Sequence, residues 1–116
     1  MVAQRHLHRV LQATINVGQD SQQFFGPYPY AQGSRIELSS FGNVKHYAGV
    51  FNDAEFQRRR TVAARQNGRF PFIFGTDRTN QRRVFNASRS GYLYVVIRVG
   101  VFNPGGGTIT VLLDVG

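Results

Sequence analysis

The chain has no cysteine and no tryptophan, one methionine, one lysine and six acidic residues among its 116 positions. Without cysteine there is neither a disulfide framework nor a thiolate metal site. With so few carboxylates, Asp20, Glu37, Asp53, Glu55, Asp77 and Asp114, no acid pair has a spacing that forces it together, Asp53 and Glu55 in one turn region excepted. No apolar run approaches the length that spans a bilayer, so no membrane partner is expected. The basic N-terminus, with Arg5, His6, His8 and Arg9, shows no apolar signal segment. A chain of this size forms one domain, and residues 1–116 are read as one.

Arginine, phenylalanine and glycine are plentiful. Lys plus Arg is 14 and the net charge is +8; Lys45 is the sole lysine, so the basic side chains are otherwise all arginine. Arginine pairs bidentately and stacks on rings, which suits protein interfaces and phosphates. An Arg-rich codon preference would explain the Arg/Lys ratio but not the net charge, which attracts anionic partners. The aromatic residues are ten Phe and five Tyr, and there are 13 Gly. That mixture describes strands joined by tight turns.

Period-two alternation recurs along the chain. In residues 9–17, Leu11, Ala13, Ile15 and Val17 oppose Val10, Gln12, Thr14 and Asn16. Residues 22–33 hold Phe24, Phe25 and Gly26-Pro-Tyr-Pro-Tyr30, whose two prolines exclude a central strand and leave an extended edge or loop. A strand over 34–41, a turn at Gly42-Asn43 and a further strand over 44–51 follow. Residues 53–67 fit a short helix with Asp53 as N-cap and Gly68 beyond its end, or a loop with an edge strand at 61–65; the apolar stripe is sparse. Phe70-Pro-Phe-Ile-Phe74 reads as an edge strand, and 82–87 as a short one. Residues 92–102 and 108–115 carry the clearest alternation, and Asn103-Pro-Gly-Gly-Gly107 between them predicts a hairpin. The expected fold is all-β, an antiparallel β-sandwich of jelly-roll or galactose-binding-like type with about seven or eight strands at roughly ten-residue spacing.

Little in the sequence serves catalysis, which needs a nucleophile with a base, paired carboxylates or metal ligands. His6 and His8 form an H-x-H pair without an evident third ligand, and Gly105-Gly-Gly107 precedes no Lys-Ser/Thr. Neither a catalytic residue nor a cofactor is expected. Asn86-Ala-Ser88 matches a glycosylation sequon that lacks a secretory context. The basic residues Arg58, Arg59, Arg60, Arg65, Arg69, Arg82 and Arg83 cluster with interleaved aromatics. That pattern serves assembly contacts, single-stranded nucleic acid, or a merely solvated face. Tyr28, Tyr30, Tyr47 and Asn103 are the residues that would line an aromatic contact or a sugar site.

Three stretches carry a family resemblance. They are Val10-Leu-Gln-Ala…Gly18-Gln-Asp-Ser21 with Gly33-Ser-Arg-Ile-Glu-Leu38, Pro71-Phe-Ile-Phe-Gly75, and Ser90-Gly-Tyr-Leu-Tyr-Val-Val-Ile97 followed by Gly107-Thr-Ile-Thr-Val111. Their order resembles the galactose-binding-like sandwich of small bacterial galactophilic lectins. The resemblance implies a β-sandwich and a calcium-bridged sugar site in the last loop. The corresponding residues here, 98–107, contain no carboxylate and only Asn103 as an oxygen donor, which does not suit calcium. The sequence therefore points to a non-enzymatic subunit of a large assembly. A phage virion protein such as a capsid decoration or cement protein, made in the host cytoplasm, leads; a lectin-like module and a nucleic-acid binder are the alternatives. The expected partners are correspondingly other protein subunits in a homo-oligomer or capsid lattice, carbohydrate, or nucleic acid.

Overall fold

The fold was obtained as a computed structural model that describes residues 7–18, 21–66, 78–100 and 106–116. It is an all-β, sandwich-like fold with one helix. The elements in chain order are β1 (His8–Val17), β2 (Gln22–Tyr30), β3 (Arg35–Asn52), α1 (Asp53–Arg65), β4 (Arg78–Asn86), β5 (Gly91–Arg98) and β6 (Gly107–Val115). All strand pairings are antiparallel. The predicted strand at 70–74 lies outside the described residues.

Two of the predicted strands are one. Residues 34–41 and 44–51 were expected to flank a turn at Gly42-Asn43; instead β3 runs unbroken for 18 residues. Gly42 is required by proximity: a Cβ there would collide with the Thr108 carbonyl oxygen and lie 3.0 Å from Ile109 Cα. The first part of β3 pairs with β6 on one side (Ile36↔Val115 to Gly42↔Ile109) and β4 on the other (Arg35↔Asn86 to Phe41↔Asn80). Its last part pairs with β5 (Tyr47↔Arg98 to Asn52↔Leu93). One strand therefore belongs to both layers. The first layer is ordered β1-β6-β3-β4 and the second β3-β5-β2.

The predicted hairpin at 92–115 does not form. β5 pairs with β2 and β3, while β6 pairs with β1 and β3. The two matched apolar faces meet across the core instead of side by side. Leu93, Val95, Ile97 and Val99 join Ile109, Val111 and Leu113, with Leu11, Ile36 and Leu38, in one cluster from which water is excluded. Burying each of these side chains contributes about 1.5–3 kcal/mol relative to exposure. Val44, His46 and Ala48 share the buried side of β3, as their alternation predicts. His46 Nδ1 lies 2.9 Å from the Val44 carbonyl, which can only accept, so Nδ1 carries the proton. Nε2 then accepts from the Ser40 hydroxyl at 2.8 Å. That pair sits where β3 passes from one layer to the other.

The segment with two prolines is an edge strand. Among the described residues β2 pairs only with β5, and its register slips between Phe25 and Tyr28. Gly26, at φ +123°, occupies the slip in a conformation that side chains disfavour.

The helical alternative holds for 53–65. Its N-cap is Asn52, one residue before the expected Asp53; Asn52 Oδ1 accepts from Glu55 N at 2.8 Å. α1 covers the outer face of the second layer. Phe56 stacks on Tyr94 (3.9 Å, 9°) and meets Phe24 edge-on at 5.6 Å, and Phe51, Ala63 and Val96 complete this smaller core.

Candidate functional site

β4 reads Arg78-Thr-Asn-Gln-Arg-Arg-Val-Phe-Asn86, with three arginines and no acid. Among the described residues it pairs with β3 alone, and its other side has no strand partner among them. Such an edge presents a row of backbone donors and acceptors that can template another strand. The ladder exposes three large apolar side chains at separate places: Phe41 at 44 %, opposite Asn80, Val84 at 40 %, and Phe85 at 41 % on the opposite face of β4.

The alternation of β4 explains its two faces. Asn80, Arg82 and Val84 share a face with Phe41, Ser39 and Glu37 on β3, on the outside of the first layer. Arg82 Nη2 donates to Glu37 Oε1 at 3.1 Å, and Arg35 Nε donates to the same oxygen at 3.0 Å. Gln81, Arg83 and Phe85 point the other way, toward the space between the layers. There Arg83, Val84 and Phe85 line a depression of about 350 Å³ opposite Gly49, Val50 and Phe51 of β3. Arg83 Nε and Gln81 Oε1 are buried without a hydrogen-bond partner. A larger cleft of about 520 Å³ continues past Phe85 to Tyr30, Val50, Asn52, Glu55 and Arg89. Both concavities lie on the side where, among the described residues, β4 and the end of β3 each lack a further strand neighbour.

No protein-family model and no curated protein matches the chain.

The predicted basic residues occupy two regions. Arg58, Arg60 and Arg65 are exposed on α1. Arg58 donates to both oxygens of Glu55, at 2.8 and 2.7 Å. These bonds lower the Glu55 carboxyl from its ordinary value, against the opposing effect of burial, and Arg59 adds to the lowering. Arg59 itself is buried at 6 % exposure. It donates to Glu55 Oε1 at 2.7 Å and lies 5.9 Å from the Phe51 ring centroid. It fixes the helix to the sheet and is not available at the surface. Arg82 and Arg83 lie on β4, and Arg69 is outside the described residues.

Of the four residues expected to line a sugar site, the three described ones lie on two faces of the second layer. Tyr28 and Tyr30 face the core from β2, and burial raises the Tyr28 phenol above its ordinary value. Tyr47 pairs opposite Arg98, on the other face of the same layer. Asn103 lies outside the described residues. Among the three described ones, Tyr30 alone lines the cleft. The sequence reading overlooked Phe85, Asn52 and Phe41. The signal for Phe85 was weak: β4 mixes polar, charged and apolar residues, so it lacks the alternation that marks a half-buried strand. Among the described residues no three His, Asp or Glu side chains gather as a metal site would require. No described helix is long and apolar enough to cross a membrane.

Proposed function

We propose that the chain is a non-enzymatic structural or accessory subunit of a large assembly, and within that class a phage virion protein of the capsid decoration or cement kind. The observation that carries this reading is the arginine-rich edge of β4, without a strand partner among the described residues, on a ladder that exposes Phe41, Val84 and Phe85. Free-standing sheets blunt their edges with charge or cover them. Here the charge deters like edges but leaves the strand accessible to an anionic neighbour. A net charge of +8 further favours docking on an acidic lattice or a DNA-filled shell. Native mass and particle size test the reading. The expected result is an oligomer or co-sedimentation with virions; a chain that stays monomeric and joins no particle overturns it.

A second reading, a carbohydrate-binding module, is favoured by the cleft in which Tyr30 stands beside Asn52, Asn86 and Arg89. Aromatic and hydrogen-bonding groups converging in a concavity of this size suit a small polar ligand. A glycan array with and without calcium tests it, and the absence of any glycan hit rejects it.

A further inference from the structure

We propose that the β4 edge receives an extended acidic segment of a partner subunit as an added strand, with a carboxylate of that segment on Arg83 and an apolar side chain beside Phe85. The proposal rests on the assembly reading above and names what the assembly supplies. Strand addition draws affinity from main-chain hydrogen bonds and specificity from pockets that take alternate side chains. β4 offers both halves of that arrangement. Its outer edge is unpaired among the described residues, and its inward phase leads into a cleft of about 520 Å³ that Phe85 lines.

The charge of the occupant follows from the strand. Arg78, Arg82 and Arg83 carry no acidic counterpart within β4, and Arg89 lies in the turn that follows. On the neighbouring stretch of β3 the single carboxylate, Glu37, is already shared by Arg35 and Arg82. Arg83 is half-buried, and its buried Nε has no hydrogen-bond partner among the described residues. Leaving such a donor unsatisfied is unfavourable, the more so on a charged group. An incoming carboxylate supplies both an acceptor for it and a countercharge, whereas a neutral strand supplies an acceptor alone and a basic strand repels the guanidinium.

Two other occupants fit less well. A second copy pairing through its own β4 would set arginine against arginine, and like charges opposite one another destabilise a sheet. Nucleic acid would satisfy the arginines but leave the strand's edge amides and the exposed Val84 and Phe85 unused.

The test uses the full chain and a yeast-displayed library of random twelve-residue peptides at physiological salt. Enriched peptides are expected to alternate Asp or Glu with apolar residues. They should slow amide hydrogen exchange across residues 78–86. Their affinity should fall about tenfold or more for Arg82→Glu/Arg83→Glu, since reversing charges at a desolvated contact sets like charges together. Because Arg82→Glu places a carboxylate near Glu37, the neutral variant Arg78→Gln/Arg83→Gln serves as a second probe, with folding checked by circular dichroism. A library without acidic enrichment, or peptides that bind both variants undiminished, overturns the proposal. So does a dimer of the chain that the variants dissolve, or an oligothymidylate that binds at β4 where no peptide does. Assembly into particles that both variants leave intact overturns the strand-addition proposal while leaving the assembly reading standing.

Discussion

Replacing Gly42 with alanine separates two accounts of the Gly42-Asn43 pair by the sign of the effect. If the pair were a solvent-exposed turn in ordinary backbone geometry, alanine would reduce the freedom of the unfolded chain and stabilise the fold by about 0.4–1 kcal/mol. In the observed fold Gly42 lies inside β3, facing Ile109 of β6. The new methyl would drive into the Thr108 carbonyl oxygen, with Ile109 Cα at 3.0 Å and Thr108 C at 3.1 Å. These are backbone atoms of a paired strand, so no side-chain rotation relieves the clash. The two strands must part at the centre of the first layer. Overpacking of this kind costs typically 1–3 kcal/mol, and loosening the pairing places Gly42→Ala at about 3 kcal/mol. For a chain of this length each kcal/mol lowers the melting temperature by about 3–6 °C. Urea and thermal unfolding followed by circular dichroism measure it. Gly18→Ala is the control, because a Cβ there meets nothing within 4 Å. A Gly42→Ala variant within about 0.5 kcal/mol of the parent, the scatter of ordinary surface changes, would refute the continuous β3 and restore the turn.

Leu113→Ala, at a fully buried position between the layers, should cost about 2–5 kcal/mol in urea unfolding, whereas Val84→Thr on the exposed edge should stay within about 0.5 kcal/mol. Arg59→Ala should cost about 2 kcal/mol by the same assay, while Arg59→Met, which keeps the volume, should lie within about 1 kcal/mol, since Glu55 retains Arg58 and partial solvation. Glu55 has a lowered carboxyl in the folded state. Its contribution is therefore present above the unfolded-chain value and disappears as pH falls through the lower folded value. Stability measured from pH 6 to pH 2 should fall less steeply for Glu55→Gln than for the parent. If nucleic acid were the partner, affinity for a single strand would fall steeply with salt; a salt-independent affinity would exclude that alternative.

The strands were legible because alternation survives translation into structure, but their neighbours were not. Residues 93–99 and 109–113 show which side chains share a core. The same pattern arises whether two strands lie side by side or face each other across that core, and a loop rich in glycine and proline fits either connection. Gly42 was misread because glycine marks both turns and close backbone approach, and only the position of Thr108 distinguishes them. The helix was recognisable from Glu55 and Arg65 at its ends. Its apolar stripe looked poor because one buried position is an arginine, Arg59, whose charge is met by Glu55 and whose flat group lies near Phe51. At the candidate site, Arg82 and Arg83 stood out as basic. That they face opposite sides of one strand follows from alternation; that β4 pairs with β3 alone among the described residues does not. No local feature of residues 78–86 encodes that.

A strand that serves both layers also decides how the molecule comes apart. In a sandwich built from two independent sheets, one can open while the other persists, and amide exchange separates them into units of different stability. Here residues 36–42 and 47–52 belong to one extended segment with different neighbours at each end. Fraying at either end of it tugs on the other, so amides of β5 and β6 should exchange through a single global event despite lying in different sheets. The 18-residue β3 is in this sense a mechanical linkage, and the domain should unfold as one body.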